Sequence, residues 1–200
     1  MNYDYDNQDH DDAQPEDGEL LDERREKPDL HTTLAALQTS DGPDSTLDYG
    51  LSNLMPGEID EFEKVWSRLD DEHRRRVMHE LVDVGEANFE LDYSAVAHVA
   101  LDDPDAEVRT AAVELVWENN DPDTLRRLLE IVQWDDSTEV RAQAASVIGR
   151  FILMGELGDF SEKETLHAQD IVIGILNNED EEIDVRRRAL EAISNSSHEI

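Results

Sequence analysis

Residues 102–112 carry the sequence DDPDAEVRTAA, and this pattern recurs as DDSTEVRAQAA at residues 135–145 and more loosely as DEEIDVRRRAL at residues 180–190. Each copy begins with acidic residues, continues with Val-Arg and ends with small apolar residues. Apolar residues follow each valine at four and seven positions, which is the spacing of one face of an α-helix. The pattern therefore predicts a helix with one buried face, repeated along the chain.

The repeated helix is the second half of a helical hairpin. A helical pattern precedes each copy, and Val77 begins a fourth, degenerate copy. We predict four hairpins, at residues 57–86, 91–119, 121–154 and 161–195. A hairpin of this size cannot bury its apolar face alone, whereas stacked hairpins share one continuous core. Because the sequence also lacks alternating β-branched runs between turns, the predicted fold is all-α, an α-α superhelix of hairpins.

The N-terminal part of the chain differs from the repeats. Residues 1–30 hold 12 acidic and three basic residues with few apolar ones, too little apolar surface to offset the entropy that ordering costs. We therefore predict a disordered acidic tail over residues 1–30. Residues 31–56 contain two short helical patterns separated by a turn signal, and we expect them to cap the first hairpin. The repeat domain is then residues 57–200.

Charge and composition limit the partners and the chemistry. The 200 residues include 51 Asp and Glu but 17 Lys and Arg, a formal net charge of -34. This field disfavours nucleic acid and anionic membranes as partners and would attract a basic protein surface; the alternative is that the charge serves solubility or adaptation to a salty cytoplasm and indicates no partner. Without cysteine, the chain forms no disulfide, thiolate metal site or cysteine nucleophile. The sequence shows neither a secretory signal nor an apolar run of membrane-spanning length, so we expect a cytoplasmic protein.

Three arginines and three aspartates recur in register with the valines. Each arginine directly follows a valine, and an aspartate stands six residues before each arginine. We expect the aspartates to cap the second helices and the arginines to point toward the neighbouring hairpin, where each guanidinium meets a carboxylate of its own or the adjacent turn. The residues of this structural ladder are Asp103, Arg109, Asp135, Arg141, Asp180 and Arg186.

The stretches DPDAEVRTAAVELV and DSTEVRAQAASVIG resemble the second helix of HEAT repeats, especially the short bacterial kind that also occurs in phycobilisome-lyase-like proteins. The resemblance is good over residues 91–195 and weaker over residues 57–90, where Val77 is followed by Met78 rather than by arginine. The repeat spacing is uneven, and the excess falls in FILMGELGDFSEKE at residues 151–164. The resemblance implies a scaffold or adaptor that binds other proteins.

The exposed face of the second helices is the predicted binding surface, because these helices line the concave side of such a stack. Positions two, six and nine residues after each valine point away from the core. Trp117 is the most informative of them, since an exposed tryptophan is a typical binding anchor; the alternative is that it packs against the preceding first helix. The small residues Ala142, Ser146 and Gly149 would let a partner helix approach closely. The predicted partner-binding residues are His79, Asp83, Thr110, Glu114, Trp117, Arg187 and Glu191.

We predict a non-catalytic protein-interaction scaffold, without a catalytic residue, cofactor or metal ion. The rival from another class is a HEAT-like enzyme, either phycobilisome-lyase-like or metal-dependent. His79 and Asp83 are four residues apart on one helix face with Glu86 nearby, a spacing that can hold a metal ion. His79-Glu80 also resembles the His-Glu pairs of the di-iron enzyme deoxyhypusine hydroxylase, and the second such pair here is His198-Glu199. A third hypothesis is regulation of a basic partner through the tail at residues 1–30. We also expect that the chain associates end to end or continues in a longer array, because the last hairpin would otherwise expose its apolar side.

Overall fold

The computed structural model describes residues 26–40, 42, 44–194, 196 and 197, and most of them are helical. Within these residues the chain forms ten α-helices and no strand. The helices are α1 (Leu30–Thr39), α2 (Ser45–Gly50), α3 (Pro56–Trp66), α4 (Asp71–Ala87), α5 (Ser94–Ala100), α6 (Ala106–Leu115), α7 (Pro122–Trp134), α8 (Thr138–Leu157), α9 (Glu162–Asn177) and α10 (Ile183–Ile193).

The helices from α3 onward form four consecutive hairpins. Short loops join α3 to α4, α5 to α6, α7 to α8 and α9 to α10, in the four regions where the sequence predicts hairpins. The second helices pack on one another in chain order, α4 against α6, α6 against α8, and α8 against α10. Among the first helices, α3 contacts α5 and α7 contacts α9. The predicted all-α stack of hairpins is confirmed.

The recurring valines are inward-facing positions of this stack. Val108, Val140 and Val185 have no exposed surface, and Val77 is 2% exposed. In α6, α8 and α10 the valine is the third residue of the helix, so the small apolar residues that follow continue the buried face. The buried apolar side chains from α1 to α10 form one cluster. Because burial contributes about 25 cal/mol per Å² of apolar surface, this cluster is the main stabilising term.

Short polar side chains begin most of the helices. Asp70, Asp105, Asp121 and Ser161 each accept a hydrogen bond from a backbone amide in the first turn of the helix that follows. Pro122 occupies the first turn of α7, directly after Asp121, as the sequence predicts. These side chains satisfy amides that have no partner inside the helix, and they fix the point at which each helix starts.

The repeated aspartates do not cap the second helices, which corrects the sequence prediction. The cap of α6 is Asp105 and that of α8 is Ser137, each two residues after the repeated aspartate. Asp103 and Asp135 instead accept the backbone amides of those cap residues, at 3.0 and 2.9 Å. A carboxylate that binds the amide two residues ahead forms a compact turn. These two side chains therefore shape the loop between the paired helices.

The length of α8 accounts for the uneven repeat spacing. It has 20 residues against 10 in α6, and its extra turns bury Phe151 and Ile152 in the core. It ends at Gly158, whose φ of 82° lies in the left-handed region that glycine adopts without strain. Even so, in the part of the chain that the structure describes, no helix combines the length and the apolar composition that a bilayer crossing requires.

α1 and α2 pack beside the first hairpin. α1 contacts α2 and α3, and the backbone amide of Asp44 donates to Glu80 of α4 at 2.5 Å. These contacts place α1 and the start of α2 against the first hairpin. α1 begins at Leu30, within the range that the sequence assigns to the tail, and residues 1–25, which make up most of that predicted tail, lie outside the described residues.

Candidate functional site

The loops inside the hairpins are held by arginines that reach from one hairpin to the next. Arg109 of α6 binds Asp135, which follows α7, through two hydrogen bonds of 2.8 Å, and also binds Asp136 at 2.6 Å. The same guanidinium donates to the carbonyls of Asp103 and Pro104 in its own loop, at 2.8 and 3.2 Å. Burial by itself would raise the pKa of Asp135, but hydrogen bonds, chiefly from Arg109, hold that pKa below its ordinary value. One side chain thus joins two loops.

The next joint has the same design with a different acid. Arg141 of α8 donates to the carbonyl of Asp135 at 2.8 Å and to the carboxylate of Glu181 at 2.7 Å. Asp180, the acid that the sequence places in the ladder, is exposed and pairs with no arginine in the described residues. Arg186 donates to a backbone carbonyl of α9 at 3.1 Å and meets no carboxylate among those residues. Of the two alternatives that the sequence left open, Arg109 and Arg141 thus meet a carboxylate of the adjacent turn, while their own loops supply carbonyls; within the described residues, Asp180 and Arg186 do not take part in such a pair.

The first joint contains a contact that the sequence analysis missed. Arg74 of α4 is buried, with its Nε 2.8 Å from Oδ2 of Asp103. The indole of Trp66 donates to the same carboxylate at 2.9 Å. Arg74 stands three residues before Val77 rather than one residue after it, and these two positions lie one turn apart on the same side of a helix. A search for arginine at either position would have found this contact.

α4 and α6 face each other along a seam of charged side chains that starts at these loops. Nε of Arg75 donates to Asp105 at 2.9 Å, and one turn further along α4, Nε2 of His79 lies 2.9 Å from Glu107. Farther along still, α4 contributes Glu86 and α6 contributes Glu114. Burial, followed by repulsion from Glu86, raises the pKa of Glu114. The first two levels of the seam thus pair a basic group with an acid, and two turns further along both helices two acids line the same groove.

A groove with a volume of about 770 Å³ opens at this acidic end of the seam. The ends of α4 and α6 and the loops at residues 88–93 and 116–121 form its walls. Two aromatic side chains of the lining are strongly exposed, Phe89 at 82% and Trp117 at 44%. Gly85 lies at the floor, where an added Cβ would be in ordinary contact with a side-chain carbon of Leu115, at 3.7 Å. The groove therefore combines uncovered aromatic surface with a border of carboxylates.

One wall of the groove is fixed by hydrogen bonds to other repeats. Arg150 of α8 donates to the carbonyls of Asn119 and Glu118, at 3.1 and 3.3 Å. The side-chain amide of Asn119 donates to the hydroxyl of Ser94 at 3.1 Å. The loop at residues 116–121 is thus tied to both α5 and α8. A wall that is already ordered loses little conformational entropy when a ligand binds.

Part of the predicted binding face lies at this groove. Glu114 and Trp117 line it, and Asp83 acts on the pKa of Glu114 as a further neighbouring acid. His79 lies closer to the loop edge, in contact with Glu107 as described above. Phe89 was missed because it lies in a loop, where helical periodicity gives no signal. The large apolar residue among the polar residues of NFE was the available clue.

The remaining predicted residues lie outside the groove. The hydroxyl of Thr110 donates to the backbone of α6 at 2.9 Å, and Arg187 pairs with Glu191 on α10 at 3.3 Å. The expected landing place for a partner helix is also filled, because Gly149 is buried against Ala192. A Cβ added at Gly149 would lie 2.9 Å from the Cα of Ala192. The last helix of the chain itself takes the position that the sequence analysis gave to a partner.

The metal hypothesis depends on two His-Glu pairs. His198-Glu199 lies outside the described residues, and Glu80 accepts a backbone amide from Asp44. As far as the structure describes the chain, no three His, Asp or Glu side chains come together in the arrangement of a metal site.

Comparison with protein families accounts for the repeats. The family model for HEAT repeats matches residues 59–149 and, in a second alignment, residues 93–166, together more than half of the chain. The chain belongs to the HEAT-repeat family. The HEAT match runs from α3 into α9, so it contains the groove and the loop contacts of the first two joints. No curated protein matches the sequence significantly. The finer resemblance to phycobilisome-lyase-like proteins stays a prediction.

Proposed function

We propose that this HEAT-repeat chain is a non-catalytic interaction module that binds a segment of another protein in the groove between α4 and α6. HEAT repeats generally mediate contacts between proteins. The observation that carries the proposal is the presence of two strongly exposed aromatic side chains, Phe89 and Trp117, in one groove. Aromatic residues in partly enclosed positions are frequent anchors of protein interfaces.

The packing around the groove supports the same proposal. The floor is apolar, with Leu115 packed on the core, and Trp117 stands beside it. An apolar side chain of a partner would remove both aromatic rings from water, which stabilises a complex by about 25 cal/mol per Å² of apolar surface. The hydrogen bonds of Arg150 keep the wall in place before binding. An aliphatic or aromatic side chain on a short segment is the ligand that fits these features.

A selection experiment tests the proposal. Peptides of about 12 residues, displayed as a random library, are selected on the full chain, and the binders are measured by fluorescence anisotropy. Trp117→Ala and Phe89→Ala should each weaken binding about tenfold or more, because each removes an anchor. Trp134→Ala is the matched control, since Trp134 is 80% exposed and does not line the groove. If the library yields no binder, or if the control weakens binding as much as Trp117→Ala, the groove is not the binding site.

A further inference from the structure

We infer that the segment bound in the groove is cationic, and that one of its lysine or arginine side chains binds between Glu86 and Glu114, beside the apolar side chain held by Phe89 and Trp117. This inference rests on the proposed function and adds the chemistry of the partner. It commits to one occupant, a basic segment of another protein.

The seam between α4 and α6 supplies the first argument. At its first two levels, a basic group on α4 meets an acid of the second hairpin, as in Arg75 with Asp105 and His79 with Glu107. Seven residues after His79 comes Glu86, and seven residues after Glu107 comes Glu114, so both helices have advanced two turns. At this level the basic group is missing and an acid stands in its place. A cation from a partner would complete the pattern.

The state of the two carboxylates supplies the second argument. Glu114 is partly buried, and neither it nor Glu86 pairs with a lysine or arginine in the described residues. A partly buried carboxylate beside other carboxylates is destabilised: burial, Glu86 and Asp83 raise the pKa of Glu114, and the lowering by His79 does not offset them. A guanidinium or ammonium group placed between the two acids would relieve both effects.

The surroundings of the groove favour the same ligand. Long basic side chains carry an apolar stem below the charged group, so a lysine or arginine can lie along Trp117 while its charge reaches the acids. The net charge of -34 attracts such a segment at long range. An acidic segment would meet repulsion at every distance, and a neutral one would leave the carboxylates of Glu86 and Glu114 without a partner.

Two displayed libraries test the inference. Both present apolar residues at the same positions in peptides of about 12 residues, and one flanks them with Lys and Arg while the other uses Gln and Ser. The strongest binders should come from the basic library. Glu86→Gln together with Glu114→Gln should weaken them about fivefold or more, and affinity should fall as salt is raised from about 50 to about 300 mM. Glu86 and Asp83 raise the pKa of Glu114 and His79 lowers it, and a bound cation would lower it further; affinity should therefore also fall as the pH is lowered from 7 toward that raised pKa, in the wild type and in His79→Gln alike.

The control separates the site from the general field of the protein. Asp60→Asn together with Glu61→Gln also removes two negative charges, but from the exposed face of α3, which does not line the groove. This variant should bind the basic peptides like the wild type. Equal losses in the two double variants would show that the overall charge alone attracts the peptides, and would overturn the inference. The inference would also be overturned if neutral peptides bound tightly, if their binding depended on Trp117, and if the double variant Glu86→Gln with Glu114→Gln bound them like the wild type. That result would leave the proposed function intact. If neither library yields a binder that depends on Trp117, both proposals fail.

Discussion

Replacing Arg109 by methionine should destabilise the protein by about 3 kcal/mol. Methionine keeps an unbranched apolar stem like the aliphatic part of arginine, and it removes the guanidinium that binds Asp135. The side chains of Arg109 and Asp135 are 11% and 9% exposed, and two hydrogen bonds of 2.8 Å join them. Removing one partner of a buried pair costs roughly 3–5 kcal/mol, and the low end applies because neighbouring Asp136 reaches solvent. For a chain of this size the loss corresponds to a fall in Tm of about 6–12 °C.

Urea unfolding followed by circular dichroism measures the effect, since guanidinium chloride would screen the charges. The control is Arg126→Met, which breaks an ion pair on the surface of α7 whose side chains are 62% and 68% exposed. Such a pair contributes at most about 1 kcal/mol. Arg186→Met provides a second control at the position equivalent to Arg109, because Arg186 meets no carboxylate in the described residues. The reasoning is refuted if Arg109→Met costs no more than these two controls.

A double-mutant cycle isolates the interaction itself. Asp135→Asn keeps the oxygen that accepts the amide of Ser137 at 2.9 Å and removes the charge that Arg109 binds. The combination of Asp135→Asn with Arg109→Met should therefore cost less than the sum of the single substitutions, by about 1–2 kcal/mol. Strict additivity would mean that the two side chains do not stabilise each other.

Two further predictions concern helix packing and acid stability. Gly149→Ala should destabilise the protein by about 1 kcal/mol, although alanine has the better helix propensity, because the new methyl group would lie 2.9 Å from the backbone of Ala192. Gly174→Ala should instead stabilise the protein by about 0.5–1 kcal/mol, because no atom lies within 4 Å of the added Cβ. Thermal unfolding of both variants measures the two effects. The hydrogen bond from Arg75 lowers the pKa of Asp105 from 3.8 to about 2, so its stabilising effect is present above about pH 4 and is lost as the pH falls toward 2. Arg75→Gln should accordingly have a lower free energy of unfolding than the wild type at neutral pH, and this difference should shrink as the pH falls from about 4 to 2. Urea titrations at several pH values measure it. A difference that does not change with pH would contradict the role of Asp105.

The buried parts of the fold could be predicted from the sequence because they depend on local spacing. Val108, Val140 and Val185 lie inward for the same reason that the residues four positions later do, namely the 3.6-residue period of the helix. Helix starts such as Asp121-Pro122 are equally local. None of these features requires knowledge of how far one hairpin is shifted against the next.

Which acids meet the arginines depends on that shift, and local sequence spacing does not measure it. Arg141 reaches Glu181 rather than Asp180, a difference of one residue across 40 positions of the chain. The groove depends on tertiary contacts in the same way, since Arg150 fixes a loop 31 residues away. Helical periodicity pointed to Trp117 but gave no reason to place Phe89 beside it. Loops between hairpins therefore hold the part of the site that sequence reasoning could not locate.

The distribution of arginine links the stability of the stack to its recognition of a partner. Fourteen of the seventeen basic residues are arginines, and Arg74, Arg109 and Arg141 are committed to joints between hairpins. Because the chain has a net charge of -34, many of its acidic side chains have no basic partner, and their mutual repulsion opposes folding. Salt screens exposed charges over about 10 Å at 0.1 M but affects buried pairs much less.

Added salt should therefore raise the Tm of this protein while it weakens the binding of a basic segment in the groove. The two effects have opposite signs because the buried acids already have their arginines, whereas Glu86 and Glu114 would receive a cation from the partner. A Tm that falls with salt would mean that the joints are more exposed to solvent than the burial of Arg109 indicates.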